Sequence, residues 1–275
     1  MTQIRPPAQA TLLDRAFALE AVRVTEAAAI AAFAQIGRGN EHDADQAAVE
    51  AMRAAFNVLP IDGTVVIGEG ERDEAPMLFI GEKVGQGGVA VDIALDPLEG
   101  TTLTAKAMAN ALAVMAMAEP GTMLNAPDTY MDKIAIGPGY AEGLVDLDAE
   151  PGDNINAMAR AKGVRPADIT ALVMDRPRHE QLIAKIRKAG AKVKLITDGD
   201  VAGVIETTDP ATGVDIYMGM GGAPEGVLAA AALRCVGGQM QGRLVFRNDD
   251  ERARAAKWGV KDLNQIGRAS CRERV

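Results

Sequence analysis

The chain has 275 residues and a net charge of −9, with 48% apolar and only 3% aromatic residues. This apolar content argues against disorder, and the acidic balance argues against general binding to nucleic acid, which needs a basic surface. No apolar run approaches the roughly 20 residues that span a bilayer, and the two cysteines, Cys235 and Cys271, make no disulfide framework. The composition predicts a cytoplasmic protein that binds neither nucleic acid nor membrane.

Helical periodicity at the start of the chain gives way to short apolar runs. Apolar residues recur at helical spacing from Leu12 to Ile36, and a second helix is expected from about Asp43 to Val58. The runs TVVIGEG, VAVDIALD, NALAVMAMA and DKIAIGP then predict strands, although the third also fits a helix. From about Asp153 onward, predicted helices and strands alternate, which is typical of an α/β layer.

Acidic residues cluster where these elements begin or end. Asp43 and Asp45 open the second helix, where the helix dipole favours acids in any case. A second cluster directly follows the strand TVVIGEG, and both a solvated loop and a shared cation explain four carboxylates so close together. The members of this second cluster are Glu69, Glu71, Asp73 and Glu74.

The third cluster is the motif DPLEGTT. Asp96 and Glu99 are separated by a turn that is expected at Pro97, so both carboxylates can point to one place, with the Leu98 carbonyl between them. Such oxygens are the ligands that Mg²⁺ and Mn²⁺ prefer. The motif therefore predicts part of a cation site, with a plain turn as the alternative.

Glycines and a hydroxyl near these acids suit a phosphate. Thr101 is suited to hold an attacking water, and the amides of the turn at residues 100–102 are suited to hold a phosphate. In GMGGAPEGV, the glycines permit close backbone approach, and Glu225 falls in the first turn of a helix that Pro224 begins. Taken alone, the second motif is a weak signal.

Two further polar motifs end strands in the second half of the chain. Arg176 and Arg178 flank Pro177, where guanidinium groups suit a bidentate phosphate clamp and equally suit surface salt bridges. The segment ITDGDVAG presents Asp198 and Asp200 after another strand. The chain's two histidines have no partners for a catalytic triad, which disfavours acyl transfer and also zinc.

These motifs together resemble a known family. DPLEGTT is similar to the motif of the metal-dependent sugar and inositol phosphatase superfamily. IDGTVVIGEGERDEAPMLFIGEKVG, LNAPDTYMDK, RPRH, TDGDVA and GGAPEG, in this order over about residues 15–264, resemble class II fructose-1,6-bisphosphatases, some of which also act on sedoheptulose 1,7-bisphosphate. The resemblance implies a two-lobed α/β fold with alternating α-β-α-β-α layers. We expect an N-terminal metal-binding lobe over 1–160 and a C-terminal α/β lobe over 161–265.

The resemblance also implies an activity and a set of site residues. The expected reaction is hydrolysis of fructose 1,6-bisphosphate to fructose 6-phosphate and phosphate, in gluconeogenesis or the Calvin cycle, by a homo-oligomer (dimer or tetramer) with two or more Mn²⁺ or Mg²⁺ ions. The implied metal ligands are Asp45, Glu69, Asp96, Leu98, Glu99 and Glu225. The implied catalytic residues are Asp73 and Thr101. The implied substrate contacts are Glu99, Gly100, Thr101, Tyr130, Arg176, Pro177, Arg178, Asp198, Gly199, Asp200 and Gly222.

The sequence departs from the family pattern at two places. Glu41 and His42 stand where a lysine is expected nearby. The second lobe is expected to be truncated, with residues 266–275 as a non-native tail. Two alternatives remain: a phosphatase of inositol or nucleotide phosphates, which a substrate panel would reveal, and an inactive truncated protein that binds sugar phosphates, which a ligand-induced thermal shift without turnover would reveal.

Overall fold

A computed structural model describes residues 12–69, 77–257, 260 and 262–269. Two mixed β-sheets form the framework, and helices lie between and outside them. The helices are α1 (Leu12–Phe33), α2 (Glu41–Phe56), α3 (Thr101–Ala105), α4 (Pro151–Lys162), α5 (Glu180–Lys188), α6 (Asp200–Glu206), α7 (Ala223–Val236) and α8 (Asp249–Lys257). The strands are β1 (Ile61–Ile67), β2 (Lys83–Val84), β3 (Val89–Glu99), β4 (Leu112–Ala118), β5 (Tyr130–Ile136), β6 (Thr170–Met174), β7 (Lys192–Ile196), β8 (Ile216–Gly222), β9 (Gln239–Val245) and β10 (Ile266–Ala269).

The first sheet has the strand order β2-β1-β3-β4 and is covered on its outer face by α1 and α2. Strands β1 and β3 are parallel, whereas β2 and β4 are antiparallel to their neighbours. Met52 and Phe56 of α2 are fully buried against Ile61 and Ile93 of the sheet. The apolar face predicted for the second helix is therefore the face that the sheet covers.

The second sheet has the order β10-β9-β5-β8-β6-β7. Strand β5 lies in its interior and is antiparallel to both β8 and β9. Ile134 and Ile136 of β5 pack with Ile155 of α4 and Ile183 of α5 on the outer face. This sheet thus joins β5, which precedes residue 160, to strands from the predicted C-terminal lobe. The lobe boundary at residue 160 stays a prediction.

A layer of helices fills the space between the two sheets. Val204 of α6 and Leu228 of α7 belong to one buried cluster with Ala94 of the first sheet and Leu172 of the second. The order of layers is therefore helices, sheet, helices, sheet, helices. This confirms the predicted α/β fold class with alternating α-β-α-β-α layers. Strands buried on both faces explain why β3 is a nearly continuous apolar run in the sequence.

Most predicted elements are formed, and the structure adds three short ones. The run NALAVMAMA, which also fitted a helix, is the strand β4. The added elements are β2, α3 and β10. Strand β10 lies within the segment that was expected to be a tail, and it pairs antiparallel with β9.

Helix α1 has apolar side chains on both of its faces. Val24 and Ala28 are buried against the rest of the first core, whereas Leu19, Ile30 and Phe33 are 66%, 72% and 74% exposed. A surface helix usually turns a polar face outward, so this exposed face requires an explanation. Among the described residues, no helix combines the length and the apolar character that crossing a membrane requires.

Candidate metal centre

Asp96 and Glu99 reach the same cavity because β3 is irregular at Pro97. In a regular strand, residues three apart point to opposite faces. Here the pairing with β4 shifts, so that Asp96 lies opposite Val114 and Glu99 lies opposite Leu112, and three steps on β3 match two steps on β4. Proline has no N–H for the ladder and is tolerated at such a bulge. The predicted turn is thus wrong: the strand continues, and the bulge turns both carboxylates to one side.

Three carboxylates converge beside this bulge. Asp96, Glu99 and Glu225 each place one oxygen within 4.8 Å of the others. Glu225 comes from the first turn of α7, and its carboxylate lies so close to Gly222 that any side chain there would collide with it. The Glu225 Oε2 atom is buried and has no hydrogen-bond partner among the described residues. A bound cation would satisfy such an oxygen.

The three carboxylates line a cavity of about 390 Å³. Gly100, Thr101, Asp128 and Asp198 also contribute to its walls. All of the predicted metal ligands line this cavity, namely Asp45, Glu69, Asp96, Leu98, Glu99 and Glu225. Gly100 has the left-handed φ of 89° that lets β3 turn directly into α3, and so it places Thr101 at the cavity.

Burial and mutual repulsion favour the protonated forms of these acids. Burial, together with repulsion from Asp45 and Glu225, raises the pKa of Glu69 to about 7. Burial also raises the pKa of Glu99 to about 8, with added repulsion from Asp200 and Glu225. The pKa of Asp96 is raised well above its ordinary value by burial and by Glu99. The donor set therefore fits divalent cations, which would replace these protons.

We expect the metal-free protein to lose stability as the pH rises from about 4.5 to about 8. Acids with a raised pKa bind more protons in the folded than in the unfolded state, so each contributes a loss of up to about 1.4 kcal/mol per pH unit. The pH range of this loss begins at the ordinary pKa of the acids and ends at their raised pKa values, which are about 7 for Glu69 and about 8 for Glu99. Urea unfolding in a chelator at several pH values measures this slope. Glu99→Gln should reduce the slope, and a stability that is constant or rises across this range would contradict the prediction.

The structure adds a buried cation that the sequence analysis missed. Lys133 of β5 has a side chain that is 1% exposed, and its ammonium group contacts the Asp200 carboxylate and donates to the Gly222 carbonyl at 2.9 Å. Its positive charge partly offsets the burial that raises the pKa of Glu99. One feature of the sequence could have indicated this burial. Side chains alternate between the two faces of β5, and Lys133 lies on the same face as the buried Met131 and Ala135.

The predicted arginine clamp lies beside Tyr130. The Nε and Nη2 atoms of Arg178 donate to the Met220 carbonyl at 3.2 and 2.9 Å, and its guanidinium lies 5.0 Å from the centre of the Tyr130 ring. Arg176 approaches Asp198 at 3.9 Å. The structure thus places Arg178 beside Tyr130 and Arg176 beside Asp198, and the role of these residues as substrate contacts stays a prediction.

A buried histidine fixes the loop that carries these arginines. The 3₁₀ turn Pro177–His179 follows β6, and the Nδ1 atom of His179 donates to the Met174 carbonyl at 2.8 Å. Its Nε2 atom accepts from the Met220 amide, also at 2.8 Å. With both nitrogens engaged in this way, the ring is neutral, and burial lowers its pKa accordingly. His179 therefore joins the loop to β8 and has a structural role.

Three further predicted features have different outcomes. Asp73, the predicted catalytic acid, lies outside the described residues. Glu41, which stands where a lysine is expected nearby, accepts a hydrogen bond from Thr102 Oγ1 at 2.8 Å. Glu41 thus joins the start of α2 to α3. Gly199 and Asp200 lie at the start of α6, where Asp200 is held by Lys133.

Comparison with known proteins identifies the family. The model of a family described as bacterial fructose-1,6-bisphosphatase, glpX-encoded, matches residues 15–270. Similar proteins include fructose-1,6-bisphosphatase 1 class 2 of Escherichia coli (strain K12) and the class 2 enzymes of Escherichia coli O6:H1 and Shigella flexneri. Each is 52% identical over 238 residues, which cover 86% of this chain and 70% of the relative. The chain therefore belongs to the glpX-encoded family of bacterial fructose-1,6-bisphosphatases, as the sequence motifs predicted.

Proposed function

We propose that this chain is a metal-dependent phosphatase that hydrolyses fructose 1,6-bisphosphate to fructose 6-phosphate and phosphate. The observation that carries the proposal is the convergence of Asp96, Glu99 and Glu225, with one buried oxygen left without a partner. Membership of the family supports the choice of substrate. We infer a cytoplasmic location, because a sugar with two charged phosphates does not cross membranes unaided.

The charge of the cavity explains why the reaction requires cations. Each phosphate group carries roughly −1.5 to −2 charges near neutral pH, and a cavity lined by seven carboxyl side chains would repel it. When bound, Mg²⁺ or Mn²⁺ would neutralise this charge and acidify a water molecule. We infer that Asp45, Glu69, Asp96, Glu99, Glu225 and the Leu98 carbonyl hold two or more such ions.

The remaining residues would position the reacting groups. Water attacks phosphorus, the bond from phosphorus to the sugar oxygen breaks, and the sugar oxygen takes up a proton. We assign the positioning of the water to Thr101, which lines the cavity, and the removal of its proton to Asp73. Arg178 and Tyr130 would bind the phosphate that remains on the sugar.

A phosphate-release assay tests the proposed function. Purified protein should release phosphate from fructose 1,6-bisphosphate with Mn²⁺ or Mg²⁺ and should not do so in a chelator. Sedoheptulose 1,7-bisphosphate, an inositol phosphate and a nucleoside monophosphate complete the substrate panel. A folded protein that releases phosphate from none of the sugar bisphosphates with either metal would refute the proposal.

We also infer that the chain forms a homo-oligomer through the exposed face of α1. Leu19, Val22, Ile30 and Phe33 lie on this face and are half to three-quarters exposed. Arg23 and Glu26 lie on the same exposed face and offer complementary charges to an antiparallel copy of the helix. A second copy would remove this apolar surface from water.

Substitution on this face should dissociate the oligomer. We expect Ile30→Glu together with Phe33→Glu to convert a dimer or tetramer to monomer, because each buried carboxylate would lack a partner. Light scattering coupled to size-exclusion chromatography measures the mass. Val236→Glu, at a site that is 51% exposed on α7, is the matched control. A wild-type protein that is monomeric at micromolar concentration would contradict the inference.

A further inference from the structure

Arg247 follows β9 and lies over the same aromatic ring as Arg178. The guanidinium carbon of Arg247 is 4.9 Å from the centre of the Tyr130 ring, and that of Arg178 is 5.0 Å from it. The family resemblance covers Tyr130 and Arg178 as substrate contacts but gives no role to Arg247. We propose that Arg247 is a third phosphate-binding residue of this group, specific for the phosphate that stays on the sugar. The proposal rests on the proposed function, because it assigns the second phosphate of that substrate.

A buried glutamate holds Arg247 in place before any ligand arrives. Glu251 is 1% exposed, and its Oε1 accepts from Arg247 Nε at 2.6 Å. Its Oε2 accepts from the Arg247 amide at 2.7 Å and from Thr129 Oγ1 at 3.1 Å. Although burial raises the pKa of Glu251, these hydrogen bonds lower it to about 2, so the carboxylate is charged at neutral pH. A guanidinium ordered in advance loses little side-chain entropy when it binds a ligand.

The way Arg247 is held leaves part of its guanidinium free. Glu251 engages the Nε and Nη2 edge of Arg247, and the Met220 carbonyl engages the same edge of Arg178. In the part of the chain that the structure describes, no hydrogen bond engages Nη1 of either arginine. The Arg247 side chain is 44% exposed, so a ligand from solvent can reach it. Two oriented guanidinium groups with free N–H donors suit the several oxygens of one phosphate.

The ring that both arginines contact neighbours a residue beside the acidic cavity, because Tyr130 pairs with Gly222 and the Glu225 carboxylate lies against Gly222. Tyr130 pairs with Gly222 on one side and with Val245 on the other. Gly222 directly precedes α7, which carries Glu225, and Val245 precedes Arg247 by two residues. Asp128, two residues before Tyr130, lines the cavity itself. A substrate with one phosphate among the carboxylates and cations therefore presents its other end toward this pair.

The affinity for fructose 6-phosphate tests the proposal, because this product retains only the phosphate assigned to Arg247. Isothermal titration calorimetry with Mn²⁺ should show that Arg247→Gln weakens binding by about tenfold or more, as expected for the loss of a charged hydrogen bond. The specificity constant for fructose 1,6-bisphosphate should fall similarly, whereas that for fructose 1-phosphate, which lacks the second phosphate, should not change. Arg252→Gln is the matched control, because Arg252 lies on α8 over Phe246 and away from Tyr130.

Three outcomes would overturn the proposal. The first is that the wild type does not bind fructose 6-phosphate, and the second is that Arg247→Gln binds it as tightly as the wild type does. The third outcome is that Arg247→Gln lowers the specificity constants for fructose 1,6-bisphosphate and fructose 1-phosphate by the same factor. If Arg247→Gln does not fold, Arg247→Lys replaces it, because the ammonium group still neutralises Glu251 but lacks the planar fork. A several-fold loss of affinity in folded Arg247→Lys supports the proposal, and an unfolded Arg247→Lys assigns Arg247 a structural role only. Failure of the wild type to release phosphate would refute the proposed function. Calorimetry measures the effect of Arg247 on the binding of fructose 6-phosphate and does not require turnover.

Discussion

Replacing Asp96 with Asn is expected to lower kcat by at least about 100-fold and at the same time to stabilise the metal-free protein. Asp96 converges with Glu99 and Glu225, so its loss removes one anionic oxygen from the cation site. Loss of a group that merely orients a metal ligand already costs about 10- to 100-fold, and loss of a ligand should cost more. Asn retains the side-chain oxygen that accepts the Leu98 amide at 3.0 Å in the wild type, so the bulge should persist.

The gain in stability has a separate physical cause. Burial and Glu99 raise the pKa of Asp96, so its ionised carboxylate is less favourable in the folded chain than in the unfolded chain. Asn carries no charge into the buried site and does not repel Glu99. We expect an increase of about 1 kcal/mol or more in the free energy of unfolding, or about 2–4 °C in Tm. The chelator must be present, because bound cations stabilise the wild type alone.

A matched substitution on the same strand is the control. Asp92 lies four residues before Asp96 on β3, and its carboxylate accepts from the Gly121 amide at 2.7 Å, away from the cavity. Asp92→Asn should retain both the activity and the metal affinity of the wild type. If Asp96→Asn kept full activity with Mn²⁺ or Mg²⁺, or lost stability in the chelator, Asp96 would not belong to a cation site.

The local sequence predicted which residues line this site more reliably than it predicted how the backbone brings them together. Acids at the end of a predicted strand led to Asp96 and Glu99, whereas the motif of Glu225 was a weak signal alone and the family resemblance implied its role as a ligand. The bulge at Pro97 was not predictable, because a proline in an apolar run indicates a break, and only pairing with β4 shows that the strand continues. The residues were therefore identified, but the reason that both carboxylates share a side was not.

Residues whose environment comes from distant segments were missed. A lysine in a strand is ordinarily exposed, and Lys133 is buried only because Asp200 and Gly222, 67 and 89 residues further along, provide its partners. Arg247 carried no signal at all, since its position depends on Tyr130 and on the buried carboxylate of Glu251. Periodicity predicts which face of an element is buried, whereas pairing of buried charges depends on tertiary contacts.

Replacing Lys133 with Met is expected to destabilise the protein by about 3–5 kcal/mol, the usual cost of leaving one member of a buried ion pair alone. Lys133 and Asp200 are 1% and 6% exposed, so water cannot replace the lost ammonium group. Asp200 would remain close to Glu99 and Glu225, whose pKa values its charge already raises. Urea unfolding in a chelator measures the loss without any contribution from bound metal.

Two further variants separate the unpaired charge from other causes. Lys133→Met combined with Asp200→Asn should recover much of the lost stability, because no uncompensated charge remains. Lys83→Met breaks the exposed pair with Asp62, whose members are 63% and 52% exposed, and it should cost about 1 kcal/mol or less. If the double variant is as unstable as Lys133→Met alone, the cost lies in the packing of the lysine stem and in the lost bond to the Gly222 carbonyl. Recovery would instead show that Lys133 is retained to neutralise Asp200 beside the cation site.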